Sequence, residues 1–565
     1  MDMQIDELRR LIEVASGKKK ADLVIKNVEI VNVLTEEFIK ADIAICGDKI
    51  AGIGNYDGIK EIDANGLYAV PGLIDGHTHL EMSMLSITEF ARLVVPRGNT
   101  SVVADPHEIA NVLGKDGIKV LIEEAKTTPL KVFFEVPSCV PSSPLETPGA
   151  VITADDVAEI LEWENVIGLA EVMNYPGVVN CNEDVLKKVA VAKAKGKIVD
   201  GHCPMLRGND LNAYISAGIG SDHECIDEDE AMEKLRLGMR VMIREGSVAR
   251  NLESLLSVAK LGNRWTMLVT DGDRTVRDLM EKGYLDYCYR RAVEEGVDPI
   301  KALQMCTINP AEYFGINAGL IAPSRIADVV LLRNLERFEV ERVIANGEVV
   351  SEIRRTYSYP DFVKSSIKLK KPITPEDIKI EGKGIARIIR VIEGEIVTGE
   401  DREYVEGVDV DRDILKIVVV ERHKATGNIG KAYIRGFGLK RGAIAQSIAH
   451  DAHNIVAVGV RDEDICKAVN RIAELQGGIV VVDGDIKAEL QLNIAGLMSE
   501  ESAEVVAEKL DRIHEEIKRL GCKLKSPILA LSFMALPVIP KLKVTDLGLV
   551  DVEEFKVVDV FVSRS

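Results

Sequence analysis

The sequence predicts an α/β protein: a (β/α)8 TIM-like barrel set into a small β-domain, followed by an additional C-terminal α+β unit. Three observations lead to it. Eight short apolar runs alternate with helical patterns between about residues 72 and 319. Each run ends in polar or ionisable residues, and alternating β patterns flank this middle on both sides. Eight β/α units in about 250 residues have the size and rhythm of such a barrel, with a doubly wound open sheet as the fold-level alternative.

In chain order, "MDMQIDELRRLIEVASGKKK" is an amphipathic, charged opening without the apolar core of a secretory signal. Residues 21–54 alternate apolar and polar side chains, with turn signals at "TEE" and "GDK", which is an antiparallel pattern. A similar pattern returns over 324–350. One composite β-sandwich is therefore expected, its first part in 1–71 and its return part, with a linker, in 320–385. The barrel is expected over 72–319. Its runs are "YAVPGLIDGHTH", "NTSVVADPHE", "KVFFEVPS", "NVIGLAEVMN", "GKIVDGHCP", "AGIGSDHE", "RVMIREGS" and "TMLVTDGD", separated by helical patterns such as "DEDEAMEKLRLGM" and "VARNLESLLSVAKLG". Residues 357–384 are polar, basic and proline-containing, and read as the linker. Residues 386–565 mix strands ("ILKIVVVERH", "GGIVVVDG") with helices and form the last unit. Its run "SPILALSFMALPVIP" is too short to span a bilayer, contains prolines, and reads as buried core.

Composition narrows the function. A chain of 565 residues, 46% hydrophobic and 29% charged, is globular and not disordered. Its net charge of −20 repels nucleic-acid polymers and anionic membranes, but not an uncharged nucleobase. The nine scattered cysteines, with no CxxC pair, fit reduced thiols in a cytoplasm. No Gly-rich phosphate loop of the P-loop kind is present.

In a barrel of this kind the strand ends line one face, where active sites sit. Five of the nine histidines lie at these ends. His77 and His79 are i, i+2 on a strand and aim both rings to one side. His202, His223, Glu171 and Asp271 join them from other strands. Such a mixed N/O set suits zinc, iron or manganese, and six ligands suffice for two ions sharing a bridging oxygen. Glu171 is placed to bridge with both oxygens. Asp105, His107 and Glu108 are candidates for substrate binding, for a further metal, or for orienting the metal ligands from behind. Arg244 either orients the substrate or pairs with Glu245. "AHDAHN" puts His450 and His453 at i, i+3, on one face if the segment is helical. Packing against the barrel mouth is the preferred reading, ahead of a separate metal site or a plain surface pair.

"PGLIDGHTHLE", with later histidines at strands five and six and an aspartate at strand eight, resembles the amidohydrolase superfamily. "ADPHEIANVLG", "AEVMNYPGV", "DLNAYISAGIGSDHE", "RGAIAQSIAHDAHNIVAVG" and "NIAGLMS" narrow the resemblance to the bacterial and archaeal adenine deaminases, over nearly the whole chain. One departure is visible: "TDGDRT" stands after strand eight where "TDD" and a basic residue with histidine are usual in that family, so only Asp271 carries over. The resemblance implies Glu171 in place of the carbamylated lysine of many superfamily members.

It also implies hydrolytic deamination of adenine to hypoxanthine and ammonia, in purine salvage or catabolism, with two divalent ions per chain, manganese or iron in preference to zinc. Coordination lowers the pKa of water from 15.7 towards about 7, and the hydroxide attacks C6. Glu224, after His223, is the first candidate to shuttle protons and Asp271 the second. The zinc deaminases of the other class need a P-C-x-x-C cluster, which the sequence lacks. The remaining alternatives are an amidohydrolase acting on another amino-heterocycle or cyclic amide, and a non-catalytic scaffold of the same fold. Free adenine is expected as substrate ahead of adenosine or AMP, and a homo-oligomer is expected.

Overall fold

The computed structural model describes residues 2–562. Eight parallel strands follow the eight apolar runs: β1 (Leu73–Thr78), β2 (Asn99–Ala104), β3 (Lys131–Val136), β4 (Val166–Val172), β5 (Ile198–Gly201), β6 (Ser221–Asp222), β7 (Arg240–Arg244) and β8 (Thr266–Val269). They form two curled arcs, β1 to β5 and β6 to β8. Backbone bonds join the arcs at both seams. Gly220 N donates to Val199 O (2.9 Å), and Asp271 N donates to His77 O (3.1 Å). Every residue of β1, β2 and β8 is buried. Strands covered on both faces need continuous apolar or satisfied side chains, which is why these segments do not alternate. Ile74, Val103, Met242 and Met267 fill the interior, and Phe314, from the helix Ile308–Phe314, joins them.

The flanking β segments pair as expected, Val329–Asn334 running antiparallel to Tyr68–Pro71. They differ from the expected sandwich in being one hydrogen-bonded sheet of eight strands. The reason is the length of Ala21–Asn32. Its first half pairs with Gly58–Asp63 and its second half with Tyr68–Pro71, so a single ladder links both flanks. A bridge between Lys49 and Ile326 folds this sheet over on itself.

Residues 357–384 have no helix or strand before Gly384, as a linker would. They are nevertheless tied down. Tyr359 bonds the Glu124 carboxylate, and Ile367, Ile373 and Ile378 are buried beside Ile465 and Val469. Beyond them lies a second eight-stranded sheet, with Leu415–Val420 and Ile455–Gly459 near its centre. The helix Asp462–Leu475 covers one face. Ile417, Val456 and Ile479 on the other face belong to the same apolar cluster as Phe90 and Ile118 of the barrel. The C-terminal unit and the barrel therefore share one core. Among the described residues no helix is long and apolar enough to cross a membrane. The run 526–540 holds the short helix Pro527–Phe533, with Ile528, Leu531, Met534 and Leu536 buried and Val538 exposed.

Candidate metal centre

The strand ends bring the six expected ligand residues together. β1 delivers His77 and His79, whose Nε2 atoms lie 3.3 and 3.1 Å from Asp271 Oδ1 beyond β8. Glu171, on β4, stands between two groups of rings. Its Oε1 is 3.7 Å from His79 Nε2. Its Oε2 is 3.0 Å from both His202 Nδ1 and His223 Nε2. Its two oxygens thus face different histidines, with His77 Nε2 also 4.0 Å from Oε2.

Three features fit this set to divalent ions. His77 Nε2 is buried and, although 3.3 Å from Asp271 Oδ1, makes no well-aligned hydrogen bond, which is costly unless something polar meets it. His79 Nδ1 donates to the Asp105 carbonyl (3.1 Å), so the proton sits there and Nε2 is left with its lone pair toward the centre. The third is electrostatic. Burial pulls His79 and His223 down, but the carboxylates of Asp271 and Glu171 outweigh it and lift them to about 10 and about 9. Burial pushes Glu171 and Asp271 up, yet the surrounding histidines hold both well below the usual carboxylate range. Buried carboxylates that draw protons onto neutral ligands are a site short of positive charge, and divalent cations supply it.

Glu224 is neither a helix cap nor a surface carboxylate. Its Oε1 is 3.8 Å from His202 Nδ1 and 3.6 Å from His223 Nε2, and Asp227 caps the following helix instead. Arg244 does not pair with Glu245. Its Nη1 donates to Glu224 Oε1 (2.6 Å) and Asp271 Oδ2 (2.8 Å), while Glu245 accepts from Leu252 N. Arg244 thus ties the two candidate proton carriers together. Asp105 Oδ2 lies 3.1 Å from His107 Nδ1, which is itself 3.7 Å from Glu171 Oε1. His79, Asp105, His107 and Glu171 also form a compact ligand-type group.

Glu108 turns away from the six-residue cluster toward the C-terminal unit. His450 Nδ1 lies 2.7 Å from Glu108 Oε1, and His453 Nε2 bonds Oε2. The segment around them is a turn and not a helix, so the i, i+3 argument does not apply; a shared acceptor brings the rings together. Packing against the barrel mouth is what the structure shows. A metal fits poorly there. His453 Nδ1 accepts from the Ala449 amide, which obliges Nε2 to carry the proton and serve as a donor.

Several groups received no role from the sequence. Asp75 joins β1 to the end of β8 through Thr270 Oγ1 (2.6 Å), and burial lifts it to about 6. Asp222 accepts from Cys203 N and Glu224 N and pairs with the fully buried Lys234 (3.0 Å), fixing the segment that presents His223. Asp273, in the departing "TDGDRT", accepts from Val248 N and Ala249 N and holds the loop after β7. Glu81, two residues past His79, is buried and faces a cavity. Its signal was its place inside the histidine motif.

Residues 68–350 match the model of the amidohydrolase family, and residues 392–556 match that of the adenine deaminase C-terminal domain. An adenine deaminase of Archaeoglobus fulgidus is 63% identical over 98% of both chains. One of Dehalococcoides mccartyi is 46% identical over 98% of this chain and 99% of its own. Among solved structures, a β-aspartyl dipeptidase of Fervidobacterium islandicum aligns with 60% of this chain and 99% of its own, at 19% identity and a TM-score of 0.45.

Proposed function

The chain belongs to the adenine deaminase family of amidohydrolases, and from that premise we propose that it hydrolyses adenine to hypoxanthine and ammonia at a divalent metal centre. The observation that carries the metal reading is Glu171, its oxygens divided between His79 on one side and His202 and His223 on the other. We assign His77, His79, Glu171, His202, His223 and Asp271 to two ions, manganese or iron ahead of zinc. Such ions supply a nucleophile at neutral pH by lowering the pKa of coordinated water.

The side chains do the rest. Glu224 faces the rings of His202 and His223 and is the group to carry a proton from water to ring nitrogen N1 and on to the departing amine. Asp271, held ionised by His77, His79 and Arg244, orients the attacking water and is the second acceptor. Arg244 fixes the spacing of these two carboxylates, and Asp105 fixes His79 and His107. A cytoplasmic enzyme of purine salvage or catabolism, assembled as a homo-oligomer, fits this reading. Division into a β-domain from 1–71 and 320–385, a barrel from 72–319 and a C-terminal domain from 386 fits it as well.

The test is ammonia release from adenine, adenosine, AMP, guanine and cytosine by protein loaded in turn with Mn, Fe and Zn. Adenine should be turned over best. Turnover of another substrate and none of adenine refutes the substrate while leaving the centre standing. Elemental analysis of Glu171→Gln should show occupancy lowered at both positions, and two ions retained would refute the bridge.

A further inference from the structure

A cavity of about 230 Å³ opens between the barrel and the C-terminal unit. Its walls are the loop after β1, the loop after β8 and residues of the C-terminal unit such as Ile448, Leu529 and His514. The wall is mostly apolar, yet two buried polar atoms in it have no partner: Glu81 Oε2 and His450 Nε2. Both residues are 4% exposed. Leaving such atoms unsatisfied costs on the order of 1–3 kcal/mol each, so a cavity that keeps two of them is built for a polar ligand.

The other ends of both groups are anchored. Glu81 Oε1 accepts from Ile109 N (3.1 Å), while Oε2 has no partner. His450 Nδ1 is held by Glu108, and its ring stacks on Phe533 with centroids 4.8 Å apart. Burial draws His450 down, but the Glu108 carboxylate outweighs it and holds the ring above the ordinary histidine range. His450 Nε2 is left without a partner in the cavity wall. The cavity is lined by the segments that continue from two of the assigned ligands: Gly272 follows Asp271, and Glu81 lies two residues after His79. His79 and His107 have ring centroids 4.7 Å apart, and His107 Nε2 is 3.6 Å from Glu108 Oε1.

We propose that Glu81 and His450 read the N3/N9–H edge of a free purine, the carboxylate accepting from N9–H and the imidazole donating to N3. The inference rests on the substrate class proposed above and deepens it. A base whose C6 is turned to the metal centre turns its five-membered ring and N3 away from it, toward this cavity. A sugar at N9 removes the N–H that Glu81 accepts. Selection of free base over nucleoside then comes from a named acceptor, and half of the reader belongs to the C-terminal unit.

Two analogues separate the two contacts. Binding by calorimetry and kcat/KM are measured for adenine, 9-methyladenine and 3-deazaadenine on the metal-loaded full chain. The wild type should favour adenine over each analogue by about 10–100-fold, the size of one buried hydrogen bond. Glu81→Gln should collapse the preference over 9-methyladenine and keep that over 3-deazaadenine. His450→Phe, which preserves the stack on Phe533, should do the reverse, and His450→Gln should restore part of it. Metal content and the unfolding midpoint, unchanged, certify the variants. A wild type with no preference over either analogue, or variants that leave both ratios intact, overturns the proposal. If the wild type turns over a different amino-heterocycle and not adenine, the substrate reading has failed, and the same ratios for that heterocycle's N-methyl and deaza analogues judge Glu81 and His450. A wild type that neither binds nor turns over any of these bases overturns both.

Discussion

Asp222 shows how a single residue behind the centre governs one inside it. Burial pushes its pKa up, but Lys234 outweighs this and holds the carboxyl far below the usual range, and its oxygens accept the Cys203 and Glu224 amides. Lys234→Met leaves that charge buried and uncompensated, at a cost of about 3–5 kcal/mol. The variant should unfold earlier by calorimetry and lose metal, because the Asp222 scaffold presents His223; a variant with wild-type midpoint and metal content would show the pair to be dispensable. The six residues proposed as ligands stand out in the sequence, since each is a polar residue at the end of an apolar run. Lys234 does not. In "DEDEAMEKLRLGM" it reads as one charge among many on a solvated helix, and only the fold shows that its face points inward. Arg244 was legible as a site residue, but its partners come from β6 and β8 and could not be read from its neighbour Glu245.

At the scale of the element, all eight barrel strands follow apolar runs visible in the sequence, because parallel strands covered on both faces cannot hide their composition. Helices were harder. "VARNLESLLSVAKLG" has helical spacing, yet only Leu256–Lys260 is helical, the earlier part being drawn into the loop held by Asp273 and Glu245. The run "SPILALSFMALPVIP" was legible as core but not its anchor, the strand Leu542–Thr545. Lys543 there is fully buried and donates to the carbonyls of Ile396 and Phe533, with no carboxylate among its bonded partners. Burial alone lowers its pKa to about 7, whereas in the unfolded chain it stays near 10.4. Between these values the unfolded state binds more protons, so this group makes stability rise with pH from about 7 to about 10 and contributes a penalty below that window. The slope is at most about 1.4 kcal/mol per pH unit. In urea unfolding the wild type should gain on Lys543→Met as pH rises through that window. Parallel curves would show that Lys543 stays charged in the fold.

At the scale of the whole molecule, the C-terminal unit is structural to the barrel. Thr147 Oγ1 and Asn454 Nδ2 both bond Asp546, Ser499 N donates to Met84 O, and the barrel cluster runs on into Ile417 and Val456. A chain ending near residue 385 should be insoluble or inactive, since it bares that cluster and loses the partners of Glu108. A soluble truncation with full deaminase activity would contradict this. Changes of pattern suggest a division into units, but the core they share was not legible, because buried interface strands such as "LKIVVV" look the same whether a helix or another unit covers them. The flanking sheet carries a consequence for biosynthesis. Tyr68–Pro71 pairs with Val329–Asn334, so the ribosome must add roughly 260 residues before the first half of that sheet meets its second. At about 5–20 residues per second that is roughly 13–50 s. Throughout that interval the nascent chain carries an open strand edge, a sticky template for other chains, and slowing translation within the barrel should raise its demand for chaperones.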